Sequence, residues 1–299
     1  MDQTTGYTKA TMNSGKVRNR GIELQLDGTP VKTKNFTWNS TFTWAKNYNK
    51  VLSLAAGLTD GQTIAYTGGT NCALIAKVGG SIGDIYGYKL KRAPDGQVVW
   101  KDGITARTTE FEYVGNAYPA WKAGFSNEFS YKNFRVSILF DGQWGGIVYS
   151  QTHHKMTEHG TLKHTLKYRE NPNFEVVGEG VMLDERGQYV PNNVPISVSK
   201  YYADYWRRAN VETNSFDASF LKLREARIEY TIPSAGLNKI GIERLTLALY
   251  GRNLAMWTKD FPVYDPEVAT LNNGTIVPGS EMGQLPSTRT MGFNLTLKF

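Results

Sequence analysis

Along seven stretches of this chain apolar and polar residues alternate one for one, with glycine-, asparagine- and proline-rich segments between them. Successive side chains of a strand point to opposite faces, so this pattern predicts strands with one apolar and one polar side. The cleanest case is Arg289 to Phe299. Met291, Phe293, Leu295, Leu297 and Phe299 share one face, and Thr290, Gly292, Asn294, Thr296 and Lys298 the other. Gly21 to Asp27 groups Ile22, Leu24 and Leu26. Phe36 to Lys46 sets Phe36, Trp38, Phe42 and Trp44 against Thr37, Asn39, Thr41 and Thr43. Lys122 to Tyr131 and Phe134 to Phe140 read as a hairpin closed by Lys132-Asn133. In Phe216 to Ile232 the parity switches between Leu221/Leu223 and Ala226/Ile228/Tyr230, which predicts a β-bulge near Arg224-Glu225. Leu245, Leu247 and Leu249 line one more strand.

The connections alternate between short (28–35, 132–133, 233–243) and long (47–121, 141–215, 255–286). Transmembrane barrels alternate this way, with short periplasmic turns and longer extracellular loops. A water-soluble sandwich gives no reason for it. The predicted fold is therefore all-β: an antiparallel transmembrane β-barrel wall with long extracellular loops and the carboxy terminus in the periplasm. Single-chain bacterial barrels close with an even strand number, so seven strands read as an incomplete barrel, a segment of a larger one. Met1 to Asn19 is polar, reads as loop, and has no apolar h-region of a secretory signal. Within the first long connection, Ala93 to Gln97 reads as the turn of a small hairpin between Tyr86–Lys91 and Val98–Lys101. The second long connection shows no regular pattern and reads as a covering or functional loop.

Composition agrees with a wall that spends only every second residue on lipid. Mean hydropathy is −0.42, yet aromatics reach 12% with 17 Tyr and 7 Trp, a supply suited to interfacial girdles. No run of 18 apolar residues exists to form a transmembrane helix. The net charge of +7 is scattered rather than gathered into a basic stripe, which sets nucleic acid aside. The single cysteine, Cys72, excludes an internal disulfide framework.

Eight motifs in this order and spacing resemble the carboxy-terminal part of SusC/RagA-like TonB-linked outer-membrane transporters. They are Asn19–Leu24, Gly115–Trp121, Tyr131–Phe134, Asp141–Gly146, Phe220–Glu225, Tyr250–Leu254, Asp265–Glu267 and Pro286–Phe299. The resemblance runs from about Arg18 to Phe299. It implies an outer-membrane importer of oligosaccharides or peptides with a barrel of about 22 strands and a plugged lumen. It implies partnership with a SusD-like surface lipoprotein and drive from the TonB complex. Motifs of a plug, a TonB box and an amino-terminal signal are not found among these residues, so the chain on its own is not expected to transport. The terminal Phe299 resembles the signal read by the barrel-assembly machinery and is expected to touch outer-membrane lipid as well.

Candidate sites follow from residue chemistry. Lys200 to Arg208 packs Tyr201, Tyr202, Tyr205 and Trp206 together, and Trp144 and Tyr149 precede them in the same connection. Such rings stack on sugars, or bury a loop against its own barrel rim or the lid lipoprotein, and packing is favoured. Arg224, Glu225, Arg227 and Glu229 belong in the lumen, because Arg or Lys at the lipid midplane costs ~2–4 kcal/mol, and plug contact is expected of them. His153, His154, His159 and His164 cluster in sequence, but their spacing fits no standard zinc pattern, so a polar loop is preferred over a metal site. Asp260, Asp265, Glu267 and Glu281 lack calcium-loop spacing and are expected to organise their loop by hydrogen bonds. No nucleophile elbow or phosphate loop is present, and Cys72 has no histidine near it, so neither an enzyme nor a cofactor is expected. A surface-binding or adhesion barrel without energised transport is the alternative.

Overall fold

The computed structural model describes residues 15–55, 58, 61–233, 241–263, 265–267, 270–272 and 275–299. The alternating stretches pair as one seven-stranded antiparallel sheet. Its strands are β1 (Gly15–Lys32), β2 (Phe36–Leu54), β3 (Trp121–Tyr131), β4 (Phe134–Trp144), β5 (Phe220–Ile232), β6 (Arg244–Thr258) and β7 (Thr290–Lys298). Neighbours in sequence are neighbours in the sheet, and β1 and β7 form its two edges, so the wall is open. The all-β reading holds, and the described strands make part of a barrel rather than a closed one.

Several boundaries differ from expectation. Residues 1–14 lie outside the described residues, but 15–19 belong to β1 and are not loop. β2 continues to Leu54, pairing Val17 with Val51 and Asn19 with Asn49. Asn47 and Asn49 both donate from Nδ2 to Asn19 Oδ1, at 3.2 and 2.8 Å. This end of the ribbon is polar on both faces, so the period-two signal is lost there although the backbone ladder goes on. β4 runs on to Trp144, β5 starts at Phe220 and β6 runs on to Thr258. The turn between β5 and β6 falls largely on 234–240, outside the described residues.

Directly opposed residues of antiparallel strands share a face, so the register builds apolar rows across one side. One row runs Phe36, Tyr131, Phe134, Tyr230, Leu247, Leu295; the next runs Trp38, Phe129, Val136, Ile228, Leu249, Phe293. These side chains stay largely uncovered, with Phe293 79% and Leu249 62% exposed. An apolar face of this extent suits hydrocarbon rather than water. Asn127, a polar residue within the apolar rows, is buried and accepts a 2.9 Å hydrogen bond from Trp38 Nε1. The parity switch in β5 is resolved as expected. The ladder skips Arg224 against both neighbours, so Leu223 and Ala226 both face outward.

All three long connections leave from the same end of the sheet, and their described residues fold into one body there. The irregularity expected of them is corrected. The second connection contains helices α1 (Gln151–Glu158) and α2 (Val198–Tyr205), each started by a serine hydroxyl that accepts a backbone N–H. Two parallel pairings knit the connections together: Val99–Lys101 beside Val181–Leu183, and Ile147–Ser150 beside Ser280–Glu281. The hairpin turn at 93–97 forms, with Arg92 bridged to Val98, but Tyr86 pairs with Ala73 and Tyr113 instead. The buried core lies mainly in this cap, around Trp100 with Val176, Ile196 and Tyr202, and around Cys72, Leu74, Ile85 and Tyr149. The wall itself has its apolar surface outside.

Candidate functional site

On the inner face, near the cap, three segments far apart in sequence bring five charges together. Lys222 Nζ donates to both Asp265 oxygens at 2.8 Å and to Glu267 at 2.7 Å. The bulge at Arg224 turns its guanidinium onto Asp141, with Nε at 2.5 Å and Nη2 at 3.0 Å, and Nη2 also reaches Glu267 at 2.5 Å. Only 3% of the Lys222 side chain is exposed. Burial by itself would raise the Asp265 and Glu267 carboxyls, but hydrogen bonds and attraction from Lys222, joined by Arg224 at Glu267, hold both below the ordinary range. Two cations therefore face three carboxylates, and the final long connection is clamped against the wall.

Beside this clamp the inner face forms a recess of about 450 Å³, lined among others by Glu23, Gln25, Lys122, Asp141, Gln143 and Glu267. Its size falls within the range of small-ligand sites, and its lining offers donors and acceptors of both charges. The sequence placed Asp265 and Glu267 in a loop organised by hydrogen bonds, but gave Lys222 and Asp141 no role. A signal was present. Lys222 sits between outward-facing Leu221 and Leu223, and all five residues lie in three of the motifs that carry the family resemblance.

Further pairs of opposite charge lie on the inner face. Arg227 meets Glu229, and Arg252 Nε lies 2.9 Å from Glu225. Arg224, Glu225, Arg227 and Glu229 are all inward, opposite Asp141 and Leu139, Ser137 and Arg135 of β4 or next to them across the bulge. What the structure adds is that Arg224 is already engaged by the chain's own Asp141 and Glu267.

The aromatic candidates separate into three places. Tyr149 is fully buried and closed to ligand: its ring fills the core beside Cys72 and Val211. Trp144 is not in the loop but ends β4 on the outward face. There it stacks on Trp121 at 6.3 Å, with Lys259 Nζ 5.1 Å over its ring. Tyr201, Tyr202, Tyr205 and Trp206 fold inward around α2. Tyr201 and Tyr205 stack on Trp100, each at 6.1 Å, and Tyr202 lies 5.5 Å from Trp206. The Tyr202 hydroxyl donates to the carbonyls of His164 and Lys167, each at 2.9 Å. These rings make cap structure.

The histidines are likewise engaged. His153 Nδ1 lies 2.9 Å from Asn214 Oδ1, His154 Nδ1 lies 2.8 Å from the Trp206 carbonyl, and His164 Nε2 lies 3.2 Å from Thr157 Oγ1. His159 caps α1 with its backbone N–H. Burial lowers the imidazole pKa of His153 to about 4 and lowers His154 and His164 in the same direction. Among the described residues no group of three or more His, Cys, Asp or Glu could hold a metal ion. Glu281 is buried and accepts from Ser150, Thr152 and the Gly283 N–H. Burial pushes the Cys72 thiol up to about 12, which leaves it without thiolate character. Phe299 is 77% exposed beyond the end of β7.

No family model matches the chain. It is 29% identical to TonB-dependent receptor P26 of Formosa agariphila, covering 99% of this chain and 30% of that protein. It is 24% identical to TonB-dependent receptor P3 of the same organism, covering 100% and 30%. TonB-dependent receptor SusC of Bacteroides thetaiotaomicron is 26% identical over 49% of this chain and 16% of its own length. Among solved structures, a chain of the RagAB peptide transporter covers 100% of this chain with 31% of its own, at TM-score 0.65 and 20% identity. The fold is thus shared with that transporter, and the chain spans about a third of the length of the relatives it matches.

Proposed function

We propose, from the premise that this chain is a SusC/RagA-like TonB-dependent receptor sequence over nearly its full length, that it supplies part of the barrel wall and part of the surface cap of an outer-membrane nutrient importer. One structural observation carries the reading. The strands present an uncovered apolar face outward and a paired, charged face inward, while every long connection gathers at one end. A lipid-facing wall around a wet lumen needs that division, and a surface lid needs that end. The cargo is an oligosaccharide or peptide. A SusD-like lipoprotein seats on the cap, the TonB complex acts through a plug, and the barrel-assembly machinery reads Phe299. The inner recess beside Lys222 and Arg224 is where cargo or plug meets this part of the wall.

The test is uptake by whole cells that express the complete protein with its lipoprotein. Radiolabelled oligosaccharides and peptides from the growth medium are expected to accumulate, and a protonophore is expected to abolish accumulation while leaving surface binding intact. Binding with no energy-dependent accumulation of any cargo would favour an adhesion barrel. Failure of the protein to fractionate with outer membranes would overturn the wall reading itself.

A further inference from the structure

We propose that the outward face of β1 and β2 carries a site for the phosphorylated headgroup of outer-leaflet lipopolysaccharide, formed by Arg18, Arg20, Lys46 and Lys50 around Tyr48. The proposal rests on the membrane orientation given above. Even-numbered residues of both strands face outward, as Leu24 pairs with Trp44 and Leu26 with Phe42. The same register continues with Ile22 opposite Lys46, Arg20 opposite Tyr48 and Arg18 opposite Lys50. Four cations therefore stand on the lipid side, directly beyond the apolar rows.

Height decides what they meet. From Phe36, in the aromatic row at the short-turn end, to Lys46 is ten residues, ~33 Å along the strand and ~25 Å along the membrane normal at a tilt of ~40°. That matches the ~25 Å apolar band of outer-membrane barrels, so Lys46 lies at its upper boundary and Arg20, Tyr48, Arg18 and Lys50 lie in the headgroup layer. Tyr48 marks an interface by its nature, and Lys46 Nζ rests 4.8 Å from its ring centre.

Charge pairing distinguishes the patch from the cluster on the inner face of β5 and β6. Lys222, Arg224, Arg227 and Arg252 on the inner face each hold a carboxylate of the chain. Among the described residues, none of Arg18, Arg20, Lys46 and Lys50 forms an ion pair with an Asp or Glu. The nearest acid in sequence, Glu23, faces inward with Ala45. Arg18 and Lys50 are directly opposed across the ladder, where like charges repel. An anion between them relieves that repulsion, and Arg and Lys together take phosphate by fork and by point charge. Long cationic side chains at this level keep their stems on apolar surface and their heads in the polar layer.

The complete protein, purified from outer membranes, would be placed in phosphatidylcholine nanodiscs containing lipid A or dephosphorylated lipid A, and bound lipid counted by native mass spectrometry. Wild type is expected to retain lipid A over its dephosphorylated form. The variant Arg18→Gln/Arg20→Gln/Lys46→Gln/Lys50→Gln is expected to lose retention by about tenfold or more, in line with the worth of several cations near an anionic surface. The inner-face control Arg135→Gln/Arg252→Gln is expected to retain it. Equal retention by wild type and the outer-face variant would overturn the site, and so would indifference to the lipid phosphates. Complete displacement by millimolar inorganic phosphate would mean a free anion rather than lipid. Heat-modifiable gel migration checks that the variant still folds as a barrel. Glu185→Cys in the cap, labelled on intact cells by an impermeant maleimide, tests orientation separately. If the cap labels and lipid retention fails, this site alone is wrong; if the cap does not label, the orientation beneath it is wrong.

Discussion

Replacing Lys222 with Met would release the final long connection from the wall. Lys222 Nζ makes three contacts of 2.7–2.8 Å with Asp265 and Glu267, and its side chain is 3% exposed. Met fills much of the same space, so the loss is electrostatic. One cation, Arg224, would then face three carboxylates, two of which were held by the lysine. Breaking a buried ion pair from one side costs ~3–5 kcal/mol, because the remaining charge stays desolvated without its partner. The segment from 259 to 267 would open at a correspondingly lower free energy. Hydrogen exchange in detergent or nanodiscs reads this directly. Protection of backbone amides in that segment should fall by roughly two to three and a half orders of magnitude, unless it is already limited by global opening. Lys222→Met combined with Asp265→Leu should recover part of the loss, since the most buried unpaired carboxylate is then gone. Acid should imitate the mutation. Asp265 and Glu267 are held below their ordinary values. Their contribution is therefore fully present above the ordinary carboxylate range near pH ~4 and is lost as pH falls through the lowered values. Unchanged protection in Lys222→Met, or protection that is lost on raising the pH from 5 to 7, would refute the clamp.

Other perturbations separate the wall from the cap. Phe125→Arg on the outward face should destabilise the membrane-inserted protein by ~2–4 kcal/mol, while Ser126→Arg on the inward face should cost little, as read by urea titration in bilayers. Trp100→Ala should cost ~3–5 kcal/mol of cap stability by leaving a cavity under α2, measured by hydrogen exchange around 176–206. The His153 imidazole has its pKa lowered to about 4 by burial, so its neutral form favours the fold fully above pH ~6.5, and about 3 kcal/mol of stability should be lost between there and pH ~4. His153→Gln should flatten that dependence. Deletion of Phe299 should lower the amount of protein in outer membranes severalfold without changing its synthesis, as seen by quantitative fractionation.

What the sequence by itself determined is the wall. Lipid on one side and a wet lumen on the other force a period of two, and that period marks each strand from its own residues, including the fault that became the bulge at Arg224. Even there the signal stopped where both faces turned polar, and the ends of β1 and β2 beyond Ile22 and Lys46 were underestimated. The cap was left to the tertiary structure. Its order comes from pairings such as Ile147–Ser150 with Ser280–Glu281 and Val99–Lys101 with Val181–Leu183, which join residues far apart along the chain and follow no local code. The same holds for the site. Asp141, Arg224 and the Asp265-Pro-Glu267 motif each stood out in the sequence for a different reason, and only the fold brought them to Lys222. It also decided where the tyrosines and histidines pack, because a ring's exposure depends on what packs over it and not on the residues beside it in sequence.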